Sequence, residues 1–465
     1  MYRHTPYIYN IGSSVKLLFC CLLGLLSVTA AGQTSAPFVA KKPGVEWYQM
    51  LMNGGMTRQY TDLLDKHRGW YMIMPNGLTD IITMNYVDGY SVGLHSTIGR
   101  MQLNRSRWEL EESAYYAFDR KALVAKGALR YMLPVEYETM MEVYGGQYLE
   151  DFDPDPVMPR AQSLMASGIC GWNHYKLLEK TSAGLRLSLP LTFDLKMSAQ
   201  VGWERRRPKE NSKHRNLFGA HAQSNEPRVG VPHTAHDQML YEGPIAAQLT
   251  KASLRFDYKH QRSLMVMDDM TLRETCDYPT YSVWVDVGVG SHDSIPSVST
   301  KKESFSFLAL DFRISHSLTL PREDDQLNYM ASAGFMVHQG EIGLADMHHF
   351  DASRFWWQKQ PVISRFALLD NYELSTDRHW VEGHVEWASR SMLFNQLVPR
   401  KYVIWREFAQ LHAVKVPDHY LHWEAQYGWD IMKAIRVGVS VGFDVAKYRG
   451  TAVTMVLDLN AARQR

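Results

Sequence analysis

Cysteine is scarce in this 465-residue chain, and long apolar runs are scarcer. Two of the four cysteines, Cys20 and Cys21, lie in an apolar leader; the two that remain, Cys170 and Cys276, are too few for a disulfide framework. They either form one bridge or stay as two thiols. An excess of one charge is also missing, since 50 Lys and Arg stand against 49 Asp and Glu, for a formal net of +1. That balance excludes the basic stripe of a nucleic-acid binder and the polybasic tract of a membrane-surface binder, so no nucleic-acid partner is expected. Outside Leu17–Ala31, no segment approaches the roughly 20 apolar residues a spanning helix needs. Zinc-protease, Walker, Rossmann and nucleophile-elbow spacings are absent. No catalytic residue, resident metal or cofactor is therefore expected. The hydrophobic content of 45% rules out a disordered chain.

What is present begins with an address. Arg3, His4 and Lys16 precede Leu17–Ala31, and small residues follow up to Gly32. Basic end, apolar core and small-residue exit is the order of a secretory signal peptide, which assigns residues 1–32 to a cleaved leader. Residues 33–80 read as a short helical lead-in. Val45, Tyr48, Leu51 and Met52 have helical spacing, and Tyr60, Leu63, Leu64 and Lys66 suggest a second turn.

From residue 81 to about 460 the chain alternates. Phe193, Leu195, Met197, Ala199, Val201 and Trp203 share one face of an extended segment, while Asp194, Lys196, Ser198, Gln200 and Glu204 share the other. Residues 252–259, 435–444 and 453–460 repeat the pattern. Further candidates lie near 89–99, 107–118, 122–131, 136–145, 181–190, 279–290, 304–315, 328–338, 361–370, 378–388, 403–414 and 419–427. That makes about sixteen strands. Within 304–315 the apolar parity shifts from Phe305 and Phe307 to Leu308, Leu310 and Phe312, which predicts a bulge. The runs are long for soluble strands and suit tilted membrane strands of about 9–11 residues. Tyr and Trp recur at their ends, as at Trp203, Tyr258, Tyr281, Trp387 and Tyr427. Pro190-Leu191-Thr192 and Lys447–Gly450 read as short turns, while 205–245, 260–278 and 338–360 read as long polar loops on the opposite side. The expected fold is all-β, a transmembrane antiparallel barrel, with a secreted soluble β-sandwich as the competing fold.

The C-terminal third carries a resemblance. Leu368-Leu369-Asp370-Asn371-Tyr372-Glu373-Leu374-Ser375-Thr376-Asp377-Arg378-His379 leads into Val381-Glu382-Gly383-His384-Val385-Glu386. Leu393-Phe394-Asn395-Gln396, Pro399-Arg400-Lys401 and Trp405-Arg406-Glu407 follow. With Tyr86-Val87-Asp88-Gly89-Tyr90 and Asp346-Met347-His348-His349-Phe350 upstream, this ordered set resembles the domain-of-unknown-function family 5686 of Bacteroidota outer-membrane proteins. The resemblance implies a BamA-like barrel in the cell outer membrane. Its partners would be membrane lipid, lipopolysaccharide and the export or assembly machinery of the envelope. It implies no catalytic residues. Two departures stand out: the carboxypeptidase-regulatory-like domain usual in that family is missing, and the chain ends on Ala462-Arg463-Gln464-Arg465 rather than on an aromatic residue.

Three polar groups are candidates for a site. Glu382, His384 and Glu386 fall on one strand face, about 7 Å apart at each second residue. In a lumen they would bind a metal, relay protons or gate a pore; the plainer reading is a water-facing wall partnered by Arg406 or Arg436. Arg205, Arg206 and Arg207 at a strand end suit a phosphate or lipopolysaccharide contact, or else salt bridges within a loop. His348 and His349, flanked by Asp346 and Asp351, would chelate a metal only from a loop, since adjacent strand residues point apart. The functional expectation is transport, or assistance in export or assembly of envelope components. An outer-membrane enzyme acting on lipid or peptide is the alternative.

Overall fold

A computed structural model describes residues 57–457 apart from 62–68, 74–80, 102–105, 134–138, 154–163, 174–175, 213–223, 235–236, 261, 268–269, 275–277, 293–302, 321–324, 359–361, 391, 398–404 and 432–434. The leader and the first helical turn expected at Val45–Met52 lie outside the described residues. Residues 50–465 form one compact unit, and everything below concerns it.

The chain makes β1 (Thr57–Thr61), β2 (Gly69–Ile73), β3 (Ile82–Asn85), β4 (Gly89–Met101), β5 (Arg107–Ala117), β6 (Ala122–Met132), β7 (Met140–Asp151), β8 (Leu177–Pro190) and β9 (Leu195–Pro208). Then come β10 (Arg228–Gly230), β11 (Gln238–Leu240), β12 (Ala247–Lys259), β13 (Arg262–Met267), β14 (Met270–Glu274), β15 (Thr280–His292), β16 (Glu303–Thr319) and β17 (Gln326–Gln339). The last third holds β18 (Trp357–Gln358), β19 (His379–Ser389), β20 (Trp405–Lys415), β21 (His422–Ile431), β22 (Ile435–Asp444) and β23 (Lys447–Leu457). A single 19-stranded sheet contains all but the hairpins β10–β11 and β13–β14. Apart from the two-residue parallel strand β18, it is an antiparallel meander from β1 to β23.

The exterior is apolar and most charged side chains of the wall turn inward, the reverse of a soluble protein. Leu185, Val201, Val337, Val385 and Leu411 point outward and are exposed, whereas the inward Glu382, His384, His412 and Glu424 are buried. Outward rings gather at both strand ends. Trp108 with Tyr131 and Tyr258 with Tyr281 mark one end; Tyr116 with Phe118 and Trp423 with Phe443 mark the other. This is a membrane barrel: lipid offers the backbone no hydrogen bonds, so the strands satisfy one another and the apolar side chains face out. The soluble sandwich, which would bury those side chains, is excluded.

Several expectations change. Thr57–Thr61 is a strand paired with β2, so Tyr60 is extended rather than helical, while Leu63, Leu64 and Lys66 of the expected second turn lie outside the described residues. Segment 361–370 is not a strand; its apolar residues Phe366, Leu368 and Leu369 are buried inside the barrel instead. No bulge interrupts β16, whose register runs unbroken from Thr280↔Ser315 to His292↔Glu303. The parity shift has another cause. Phe305 and Phe307 face inward onto an apolar interior cluster, while Leu308, Leu310 and Phe312 face lipid. A bulge occurs elsewhere, on β23, where Arg449 is left unpaired opposite the Gly442–Phe443 step of β22. Lys447–Gly450 belongs to β23, and the turn is 445–446. Following the meander, connections 152–176, 209–246 and 340–378 lie at one end, together with the turns 118–121 and 445–446. Connection 260–279 lies at the other end, with 191–194 and 390–404. The simple division into a short-turn side and a long-loop side therefore fails.

Candidate functional site in the barrel lumen

The connection 340–378 does not leave the barrel as an outer loop; it turns back into the lumen. Its apolar residues Ile342, Phe350, Phe366, Leu369 and Leu374 pack with Ala247, Leu249, Phe305, Phe307, Trp380 and Val414 from the wall. Its two-residue strand β18 pairs in parallel with Met455 and Val456 of the last strand. The segment is a plug.

Polar latches hold it on opposite walls. On the β9 side, Arg206 donates to Asp346 at 2.7 and 2.9 Å and also to Glu204. On β23, Arg449 donates to Glu373, with 2.5 Å to Oε2. The bulge makes this latch possible: Arg449 is the unpaired residue between Tyr448 and Gly450, and the local distortion turns it inward. On β21, Glu424 accepts the backbone N–H groups of Ala367 at 2.7 Å and Leu368 at 2.9 Å. Its Oε1 also lies 3.0 Å from His422 Nε2, whose Nδ1 is 2.7 Å from Asp444. Two carboxylates on one imidazole require protons on both ring nitrogens or a proton on one acid. The Phe366 ring sits among His384, His412 and His422, with centroids 5.1, 5.8 and 5.7 Å away.

The expected row on β19 is present and inward. Glu382 is 3.3 Å from His384 Nε2, and His384 Nδ1 is 2.9 Å from His412 Nδ1. Glu386 accepts from Asn328 at 3.0 Å and from Arg436, which also lies over the Phe408 ring at 3.7 Å. Arg406 does not join them; it donates to the Ala388 carbonyl at 3.3 Å. His412 extends this row, while His422, Glu424 and Asp444 form a second cluster across the Phe366 ring; none of the four belongs to a sequence motif. Their alternating positions on adjacent strands, each opposite an apolar outward neighbour, were the signal available.

The other two groups separate. His348 stacks on Trp380 at 3.8 Å, and His349 Nδ1 is 2.7 Å from the Ser375 hydroxyl. Burial pushes their imidazoles down, to about 4 and about 3, so both are neutral in the docked plug. Asp346 is taken by Arg206, and Asp351 by Arg365 at 2.7 Å. Among the described residues no three metal-ligating side chains converge. Of the three arginines, Arg206 faces the lumen while Arg205 and Arg207 face outward. Arg206 thus serves the plug rather than a lipid.

Between the plug and strands β5–β17 a cavity of about 730 Å³ remains. Its wall charges largely cancel in ladders. Arg130 pairs with Glu111 at 2.6 Å and with Glu142, which also pairs with Arg186 at 3.0 Å; Lys180 bridges Glu150 and Glu204, both at 2.7 Å. Aromatic rings lie flush where the neighbouring strand carries glycine. A Cβ on Gly184 would meet the Tyr144 hydroxyl at 2.4 Å, and one on Gly334 would meet the Trp380 ring at 2.2 Å.

Comparison with known proteins adds a family and a set of distant folds. The model described as the C-terminal domain of a family of unknown function, DUF5686, matches residues 59–429. No curated protein sequence matches. Among solved structures, CdiB from Acinetobacter baumannii shares 11% identity at a TM-score of 0.36, covering 84% of this chain and 57% of its own. This chain therefore spans little more than half of CdiB. BamA from Haemophilus ducreyi lacking POTRA domains 1–3 shares 10% at 0.41, covering 86% and 74%. Wzi from Escherichia coli, described as a carbohydrate-binding barrel of capsule assembly, shares 8% at 0.29, covering 86% and 78%.

Proposed function

The chain belongs to the DUF5686 family through its C-terminal domain, and from that membership and its stoppered lumen we propose an outer-membrane barrel that assists export or assembly of envelope components, not a standing diffusion pore. The supporting observation is the plug. A passive pore needs only a wet polar wall, whereas here residues 340–378 are bound to β9, β21 and β23 through buried charges. Clearing the lumen would have to part all three latches and expose the apolar residues packed between plug and wall. Transport of a solute through this barrel would require the segment to move. The leader fits delivery through the inner membrane, and the apolar exterior fits residence in the outer one. Liposomes containing the purified protein should not swell in isotonic small sugars. Depleting it in its host should lower the surface content of other envelope proteins or glycans. Rapid swelling would instead make it a pore, and an unchanged envelope after depletion would remove the assembly role.

A further inference from the structure

The outward row of β9 crosses the lipid boundary in a fixed order: Met197, Ala199, Val201, Trp203, Arg205, Arg207. Val201 and Trp203 are exposed, as lipid-facing residues are. Trp203 marks the interface, and each further outward residue lies about 6.6 Å along the strand. That step carries the two guanidinium groups into the headgroup layer at the end bearing connection 209–246. Neither Arg205 nor Arg207 has a hydrogen bond or ion pair with another described residue. Arg205 sits opposite Thr181 on β8 and Gln248 on β12, neither of them acidic. Arg207 sits opposite Glu179, but that carboxylate is already held by Arg120 at 3.0 Å and Lys209 at 3.2 Å. The strand end therefore presents toward lipid headgroups two adjacent guanidiniums that no described residue engages, while Arg206 between them is turned inward and occupied.

We propose that Arg205 and Arg207 form a binding site for the phosphate of a membrane lipid headgroup. A guanidinium meets phosphate through two parallel N–H donors, and a second arginine one strand step away adds charge without competing for the same oxygens. The site does not depend on the export role, and its test reads lipid binding alone.

The experiment uses the full chain purified in neutral detergent, with binding followed by native mass spectrometry and by the thermal midpoint of heat-modifiable gel mobility. Three probes are compared: bisphosphorylated lipid A, the same lipid A stripped of phosphate, and phosphatidylglycerol. The native protein should bind a phosphate-bearing lipid at least about tenfold more tightly than stripped lipid A, and added salt should weaken it. Binding to lipid A alone identifies lipopolysaccharide as the source, whereas binding to both identifies lipid phosphate in general. Arg205→Gln with Arg207→Gln should lose about tenfold or more, and Arg205→Lys with Arg207→Lys should recover part of it. Heat-modifiable mobility confirms that each variant is folded. Absence of phosphate-dependent binding, or undiminished binding by the folded Gln variant, overturns the proposal.

Discussion

Replacing Glu424 with Ala should unfasten the plug without unfolding the wall. Glu424 lies on β21 and is buried, and its two oxygens accept the N–H groups of Ala367 and Leu368 at 2.7 and 2.9 Å. Removing it leaves two buried backbone donors without acceptors, at about 1–3 kcal/mol each, or about 2–6 kcal/mol in all. A middle value near 4 kcal/mol shifts the docked-to-undocked ratio by about a thousandfold, since 1.4 kcal/mol is tenfold. The barrel should survive, because the ladder pairing β21 to β20 and β22 involves backbone groups that the substitution does not touch. Single-channel recording in planar bilayers should show frequent openings where the native protein is closed. Trypsin should cut after Arg354 or Arg365, both within the plug. Glu424→Gln, which keeps one acceptor oxygen, should fall between. A folded Glu424→Ala protein with native closure and native protease protection would refute the assignment of this carboxylate as a latch.

The remaining expectations concern the same architecture. Docking should weaken on acidification: His348 and His349 are held down at about 4 and about 3 against an ordinary value near 6.5. A base depressed in the docked state binds fewer protons than when released, so its contribution is complete above about pH 6.5 and falls away toward pH 4. Asp351, whose carboxyl burial raises, opposes this at lower pH. Trypsin protection measured from pH 7.5 to 4.5 should decline, and His348→Gln with His349→Gln should flatten the decline; a profile independent of pH, or one steeper in the variant, contradicts the burial argument. Gly334→Val should cost folded yield, because a Cβ there meets the Trp380 ring at 2.2 Å. A strained barrel of this kind is expected to lose about 1–3 kcal/mol, read as a lower thermal midpoint of heat-modifiable mobility, and a midpoint at or above the native one would show that the ring shifts freely.

The alternation of apolar and polar residues by itself determined the class of this protein. A period of two over ten or more residues allows only a strand with one greasy wall, and rows such as Val381, Val385 and Trp387 against Glu382, His384 and Glu386 already separated lipid side from lumen side. Fifteen of the sixteen expected segments are strands of the sheet, to which β1, β2, β3 and β18 bring the total to 19. The exception, 361–370, shows where local pattern stops being informative. Phe366, Leu368 and Leu369 look like strand residues because they are apolar and spaced for burial, but what buries them is the inside of the barrel rather than lipid. Alternation reports whether a side chain leaves water, not what it leaves water for. In the same way, three consecutive arginines look equivalent in one dimension, yet the pleat sends Arg206 to Asp346 and turns Arg205 and Arg207 to the membrane. Only the tertiary structure could join Arg206 to Asp346, Arg449 to Glu373, and Glu424 to Ala367 and Leu368, because each pair closes a loop of tens of residues or more and depends on the curvature that brings distant strands to one lumen.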